Sequence, residues 1–251
     1  MKRNYVRQVV NIASTLLVLV VNFLANALPL NGKNTGEISD QFDVYFVPAG
    51  YVFSIWGLIY VGLIAFTIYQ ALPSQWDNAR LKRIGYLYPL SCLANAAWIF
   101  LWHYERFPLT LVAMLILLLA LIAIYVRLHI GREAFTFSET WLIRIPFSLY
   151  LGWITVATIA NVTSLLDFLG WGGWGIAPEI WAVIMLIAAT GIASLVSISR
   201  GDIPYMLVII WAFVGIAVKH AATPTVAIAA WVTTGINAAM MVVGALLHRR
   251  R

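Results

Sequence analysis

Apolar residues occupy long uninterrupted runs along this chain, and short polar or charged segments separate the runs. The run at 46–70 contains no charged residue and exceeds the roughly 20 apolar residues that a helix needs to cross a bilayer. Within it, Phe53, Trp56 and Tyr60 lie at helical spacing and are predicted to share one face. Because buried indole N–H and phenol O–H groups need partners, this face is expected to line a ligand site or a wet surface.

The same hydropathy pattern predicts eight transmembrane helices and no strands. They cover residues 7–28, 46–72, 86–103, 108–129, 142–166, 179–198, 204–220 and 224–247. The first run follows a basic start, as a secretory signal does, but it has about 20 apolar residues against a signal core of roughly 7–15. We therefore expect a retained first helix.

The basic residues support eight helices if the N-terminus is cytoplasmic. The cytoplasmic segments then hold Lys2, Arg3, Arg7, Arg80, Lys82, Arg83, Arg127, Arg132, Arg144, Arg200, Arg249, Arg250 and Arg251, and the outer segments hold only Lys33, Arg106 and Lys219. Lys and Arg concentrate in cytoplasmic loops of membrane proteins. The pattern predicts cytoplasmic termini and an outward-facing loop at 29–45, most simply in a bacterial inner membrane.

Composition supports this class of protein, with 62% hydrophobic and 10% charged residues against about 25% charged in soluble domains. The net charge of +6 follows the loops, so it does not indicate a nucleic-acid partner. The lone cysteine, Cys92, rules out an internal disulfide framework.

No Lys, Arg, Asp or Glu lies in the middle of a predicted helix, which argues against an ion-coupled pump but leaves a facilitator open. We find no phosphate-binding loop, no metal-ligand spacing and no nucleophile–base pair. His103 and Glu105 alone are too few for a metal site. The sequence therefore predicts a protein that is not an enzyme and requires no metal or cofactor.

Two further helices carry aromatic and small or polar residues on one face. The stripes are Asn95, Trp98 and Trp102 in the third helix, and Trp153, Ala157 and Asn161 in the fifth. Asparagines in membrane helices often join neighbouring helices, at about 0.6 kcal/mol per hydrogen bond, and this alternative stays open. Together the stripes predict a mostly aromatic cavity with a few polar groups, as in many small-molecule sites.

At these residues the sequence resembles the TspO/MBR family, the tryptophan-rich sensory proteins that include the mitochondrial translocator protein. The second helix of that family begins Pro-Gly-Trp-x-Phe and continues with Trp-x-x-x-Tyr. This chain has Pro48, Gly50, Tyr51, Phe53, Trp56 and Tyr60 there, with Tyr51 replacing the first Trp and one residue fewer before Trp56. The family's Asn-x-x-Trp and Trp-x-x-x-Ala-x-x-x-Asn patterns match the stripes of the third and fifth helices.

The resemblance covers about residues 7–166 and implies a five-helix transmembrane domain at 1–166, followed by a three-helix transmembrane extension at 167–251. It implies a pocket beneath the loop between the first two helices that binds a flat apolar ligand of the porphyrin or tetrapyrrole class. The implied ligand-binding residues are Tyr51, Phe53, Trp56, Tyr60, Asn95, Trp98, Trp102, Trp153, Ala157 and Asn161.

Three functions stay open on this basis. The first is a membrane receptor or sensor for such a ligand, the second is a transporter or facilitator, and the third is a structural accessory subunit of a larger membrane complex. A tetrapyrrole-modifying enzyme is a more distant alternative. The expected partners are the lipid bilayer, a small apolar ligand, and either a second copy of the chain or a membrane-complex partner.

Overall fold

The computed structural model describes residues 5–28 and 30–249, and the regular structure within them is helical, without strands. Lys2, Arg3, Arg250 and Arg251, which contribute to the predicted charge pattern, lie outside the described residues. Eight long helices correspond to the eight predicted segments. They are α1 (Val6–Ala27), α2 (Ile55–Ala71), α3 (Leu87–His103), α4 (Phe107–Arg127), α5 (Ile145–Phe168), α6 (Pro178–Arg200), α7 (Ile203–Lys219) and α8 (Pro224–His248).

Six helical segments of the described chain are long and apolar enough to cross a membrane. These are Val6–Ala25, Gly50–Ala71, Phe107–Arg127, Phe137–Phe168, Pro178–Arg200 and Pro224–His248. Helices α3 and α7 have 17 residues each, which at 1.5 Å per residue gives about 25 Å against a hydrocarbon core of about 30 Å. The six longer segments identify the chain as a multi-pass helical membrane protein.

The predicted start of the second helix is wrong. Residues 46–49 are not helical, and Gly50–Ser54 forms a tight 3₁₀ turn before α2 begins at Ile55. Pro48 has no N–H to donate, and the N–H of Ala49 donates to the carbonyl oxygen of Gly215 on α7 at 3.1 Å instead of to a helical partner. Phe53 therefore belongs to the turn, and only Trp56 and Tyr60 share a face of α2.

Helical structure also begins before α5, and earlier than the predicted start at residue 142. Helical structure begins at Phe137 and passes through a π-helical turn, Thr140–Arg144, before α5. The Thr136 hydroxyl accepts from the backbone N–H of Glu139, and the Glu139 carboxylate accepts from the N–H of Thr136. This reciprocal capping box satisfies N–H groups that a helix start otherwise leaves unpaired.

The described residues form two compact units. The first comprises the described part of Met1–Ile38, together with Trp56–Ile130 and Phe135–Leu151. The second comprises Ser39–Ile55, Gly131–Ala134 and the described part of Gly152–Arg251. Helix α5 contributes residues to both units, and the predicted division into 1–166 and 167–251 stays a prediction.

The core of the first unit is an aromatic cluster with close helix packing beside it. The Phe66 ring lies 4.9 Å from the Tyr88 ring and 4.9 Å from the Phe147 ring, with edge-to-face geometry in both pairs. Gly62 brings α2 against α5, because a Cβ at Gly62 would lie 3.1 Å from the Cβ of Pro146. Small residues at such contacts let transmembrane helices approach closely.

The second unit packs α6, α7 and α8 through small and hydroxyl residues. The Ser197 hydroxyl on α6 donates to the carbonyl of Met240 on α8 at 2.7 Å, and Gly244 leaves no side chain in the way. The Asn237 amide donates to the Thr190 hydroxyl at 3.2 Å, which ties the same two helices at another level. Both contacts are interhelical hydrogen bonds of the kind that joins helices in a membrane.

Candidate functional site

The ten residues predicted to bind a ligand divide equally between the two units. The first unit holds Trp56, Tyr60, Asn95, Trp98 and Trp102, and the second holds Tyr51, Phe53, Trp153, Ala157 and Asn161. The structure brings several of them together within each unit, and their joint action in one pocket stays a prediction.

Asn95 joins three helices of the first unit by hydrogen bonds. Its carbonyl oxygen accepts from the Asn22 amide of α1 at 2.8 Å, and its own amide donates to the Tyr150 hydroxyl of α5 at 2.9 Å. The same Asn22 amide also donates to the carbonyl of Val18, at 2.8 Å. The two bonds of Asn95 are the interhelical links that the helix-joining alternative expects. The Asn26 side chain, which shares the Asn22 face in sequence, lies outside the described side chains.

Trp56 and Tyr60 form a flat aromatic surface next to this network. Their ring centroids lie 5.5 Å apart and their planes differ by only 20°. The Trp56 ring also meets the Tyr150 ring edge to face, with ring centroids 6.0 Å apart and planes inclined by 70°. Trp56 and Tyr60 are both half-buried, so the surface is partly open rather than sealed in the core. Such a stacked pair can receive a planar apolar ring by offset stacking.

Trp98 and Trp102 form a second stacked pair, at 5.2 Å and 19°, and both are buried. The Phe107 ring packs against Trp102 edge to face, at 5.4 Å. The Trp102 indole N–H donates to the carbonyl of Thr35 at 3.2 Å, which satisfies its polar group inside the protein. Trp102 therefore holds the segment that contains Thr35 against α3.

That segment, residues 30–38, is held on the end of α3 by His103. The Nδ1 atom of His103 lies 3.1 Å from the carbonyl of Leu30, and its Nε2 atom lies 3.1 Å from the Thr35 hydroxyl. A carbonyl oxygen can only accept, so Nδ1 carries a proton and, in the neutral ring, Thr35 donates to Nε2. The Asn31 amide closes the arrangement by donating to the His103 carbonyl at 3.0 Å. The sequence missed this role for His103.

The aromatic residues of the second unit make a different set of contacts. The Phe53 ring meets the Trp153 ring edge to face at 5.7 Å, and the Tyr51 ring meets the Trp211 ring in the same way at 5.3 Å. The Trp211 indole N–H also donates to the carbonyl of Val52 at 3.2 Å. Trp211 thus holds the 3₁₀ turn through a ring contact and a hydrogen bond.

Asn161 and Ala157 lie further along α5 in the same unit. Asn161 is buried and Ala157 is half-buried. Between them and Trp153, the Thr155 hydroxyl accepts from the Tyr205 hydroxyl of α7 at 3.2 Å. The role of Asn161 and Ala157 toward a ligand stays a prediction.

Tyr45 and His220 lie outside the long helices and form a small polar cluster with Glu179, which is in the first turn of α6. The Tyr45 hydroxyl donates to the Glu179 carboxylate at 3.2 Å, and the Tyr45 ring packs against the His220 ring at 5.2 Å. Burial raises the pKa of Tyr45, and the Glu179 carboxylate adds to this rise. Burial lowers the pKa of His220, against the opposing effect of the hydrogen bond to the carbonyl of Val47. Both changes favour neutral side chains at neutral pH.

A cavity of about 250 Å³ also lies in the second unit, and none of the ten predicted residues is among the described residues that line it. No group of three or more histidine, cysteine, aspartate or glutamate residues with the arrangement of a metal site occurs in the part of the chain that the structure describes.

The helices, their apolar length and their aromatic faces define the class: this is an all-helical, multi-pass integral membrane protein. The model of the TSPO-like protein family matches residues 8–243. The chain therefore belongs to the TSPO-like protein family, which confirms the resemblance seen in its motifs. The match continues beyond the motif-bearing part into α6, α7 and α8. Neither a search of curated proteins nor a search of solved structures found a match to the chain.

Proposed function

We propose that this protein is a membrane receptor or sensor that binds a flat apolar ligand of the porphyrin or tetrapyrrole class without transforming it. Membership of the TSPO-like family supports a ligand-binding membrane protein. The observation that carries the proposal is the half-buried Trp56–Tyr60 pair in the first unit, whose two ring planes are nearly parallel. A planar ligand gains contact area on such a surface.

Buried polar groups next to this surface fix the position of the ring on which Trp56 packs. The Tyr150 ring contacts Trp56, and the Tyr150 hydroxyl accepts a hydrogen bond from the Asn95 amide. Tyr150 and Asn95 are both buried, so this bond holds the Tyr150 ring against Trp56 before a ligand arrives. Preorganised groups of this kind reduce the ordering cost of binding.

We further propose that all eight long helices span the membrane and that both termini are cytoplasmic, in a bacterial inner membrane. The segregation of basic residues supports this arrangement. Helices α3 and α7 are somewhat short for a straight crossing, and a local thinning of the bilayer accommodates such a mismatch at a modest cost.

The test is a titration of the purified protein in lipid nanodiscs with protoporphyrin. Binding is monitored by the absorption spectrum of the porphyrin. Trp56→Leu removes the stacking surface and is expected to weaken binding about tenfold, since an aromatic pair contributes about 0.5–1.5 kcal/mol beyond its area. Trp141→Leu is the matched control, because Trp141 is an exposed tryptophan of the same unit outside the predicted site. Equal affinity in the two variants would argue against the proposed surface.

Three further measurements complete this experiment. The same titration of Trp153→Phe and Asn161→Ala tests the residues that the sequence predicts in the second unit. Porphyrin flux into proteoliposomes tests the transporter alternative, because a receptor binds without net movement of ligand. Co-purification of a stable partner in mild detergent, without porphyrin binding, would favour an accessory subunit instead.

A further inference from the structure

The cavity of the second unit lies outside the predicted ligand site and has its own chemistry. It is formed by residues 43–46, the end of α5, the glycine-rich segment after α5 and the start of α6. Its volume of about 250 Å³ falls just below the roughly 300–1,000 Å³ of sites for drug-sized molecules. It can hold several waters at about 30 Å³ each. The size therefore suits a small organic molecule better than a tetrapyrrole.

Aromatic rings form much of the cavity wall. Trp171 and Trp181 both line it, with ring centroids 5.0 Å apart and planes inclined by 56°. Tyr45 and Phe46 contribute two more rings. The Trp181 indole N–H donates to the carbonyl of Gly173 at 2.9 Å, so the orientation of this ring is fixed.

Gly173 is required for this arrangement. Its φ of +61° lies in the left-handed region, and a Cβ at this position would meet the Trp181 indole nitrogen at 3.2 Å. Glycine reaches this conformation at no steric cost. The glycine-rich segment after α5 thus positions one wall of the cavity.

The charges at the cavity have one sign. Asp43 and Asp167 line it, and no lysine, arginine or histidine is among the lining residues that the structure describes. The Glu179 carboxylate lies close by, where it accepts from Tyr45. Two carboxylates beside several aromatic faces attract a cation, because the face of an indole ring carries negative potential. The carboxylate side chains of a porphyrin would be repelled by the same groups.

We propose that this cavity binds the alkylammonium group of a small organic cation. An alkylated ammonium presents an apolar, positively charged surface, which matches aromatic walls with carboxylates beside them. A bare metal ion would need a convergent set of oxygen ligands, whereas this cavity offers two carboxylates and aromatic rings. The alkylammonium group has two natural sources, a free amine such as choline or the headgroup of a choline lipid.

The test uses the full chain in nanodiscs of phosphatidylglycerol, which contain no amine. Choline is titrated and binding is followed by tryptophan fluorescence, since Trp171 and Trp181 line the cavity. The probe for charge is the neutral carbon isostere of choline, which has the same shape. We expect choline to bind at least about tenfold more tightly than the isostere. Equal binding of the two compounds overturns the proposal.

Two variants test the residues. The double variant Asp43→Asn, Asp167→Asn keeps the shape of both exposed side chains, and we expect it to weaken choline binding about tenfold. Trp171→Leu removes one aromatic face and is expected to do the same. Asp77→Asn and Trp141→Leu are the controls, since both residues are exposed and lie in the first unit. The proposal is overturned if these variants bind choline as tightly as the control variants.

The source of the cation is decided by the lipid. In nanodiscs that contain phosphatidylcholine, a lipid headgroup in the cavity would raise the apparent Kd for free choline in the parent protein and not in the double variant. An unchanged Kd identifies a free cation as the ligand. Both results support an alkylammonium site, and neither depends on porphyrin binding, which concerns different residues.

Discussion

Replacing Asn95 with leucine separates the two roles that this residue can have, joining helices or binding a ligand. In the described structure its side chain makes two interhelical hydrogen bonds, from the Asn22 amide at 2.8 Å and to the Tyr150 hydroxyl at 2.9 Å. Leucine has a similar volume and removes both bonds while it leaves little empty space. Asn22 retains its bond to the carbonyl of Val18, so its amide is not left wholly without a partner.

The expected loss follows from these two bonds. Interhelical hydrogen bonds in a membrane protein average about 0.6 kcal/mol and reach about 1.7 kcal/mol. Losing both therefore lowers the free energy of unfolding by about 1.2 kcal/mol, and by no more than about 3.4 kcal/mol. In a double-mutant cycle with Tyr150→Phe, the coupling energy isolates the single bond between the two side chains and is expected to be about 0.6 kcal/mol.

The assay is reversible unfolding of the ligand-free protein in mixed micelles. Thr163→Val is the control, because the Thr163 hydroxyl donates within its own helix, to the carbonyl of Ala160. If Asn95→Leu is as stable as the parent and shows no coupling to Tyr150→Phe, the helix-joining interpretation is refuted. Porphyrin affinity of the same variants then shows whether the side chain acts on the ligand directly.

Three other predictions follow from the same structure. Gly62→Val places a side chain against the facing proline of α5 and is expected to lower the free energy of unfolding by about 1–3 kcal/mol. Gly57→Ala on the same helix meets open space and is expected to be tolerated. Thermal unfolding measures both variants. Because burial lowers the pKa of His220, the unfolded chain binds the proton more readily, so the free energy of unfolding falls as the pH drops below the ordinary histidine value of about 6.5. His220→Gln is expected to flatten this dependence, and an unchanged slope would contradict it. In intact cells, a membrane-impermeant thiol reagent is expected to label Lys33→Cys and not Arg132→Cys; the opposite pattern would overturn the proposed topology.

Length and hydropathy were sufficient to locate the long helices, because a helix that crosses lipid must satisfy its backbone within itself. For this reason α1, α4 and α8 begin and end within a few residues of their predicted bounds. The helical turn before α5 was not predicted, because its capping box, formed by Thr136 and Glu139, precedes the apolar run on which the hydropathy pattern rests.

The start of α2 could not be predicted in the same way. The apolar run continues without interruption through Pro48 and Ala49, so it favours a helix there. The backbone instead turns away because the Ala49 N–H bonds to Gly215, a residue far along the chain. Local sequence carries no record of such a partner, and the placement of Phe53 outside α2 follows from it.

Helical spacing likewise identified faces but not neighbours. It correctly paired Trp98 with Trp102 and Trp56 with Tyr60, because residues three or four apart on a helix meet. It did not reveal that the Trp211 indole donates to the carbonyl of Val52, or that Asn22 and Asn95 face each other.

The sequence thus defines a multi-pass membrane protein of the TSPO-like family, because composition, run length and motif order are properties of the chain itself. The contacts between distant segments depend on how the helices pack, which no local pattern encodes. The cavity shows this most clearly: Asp43 and Trp171 lie far apart in sequence, yet they line the same space in the second unit. Only folding brings the carboxylate and the indole together.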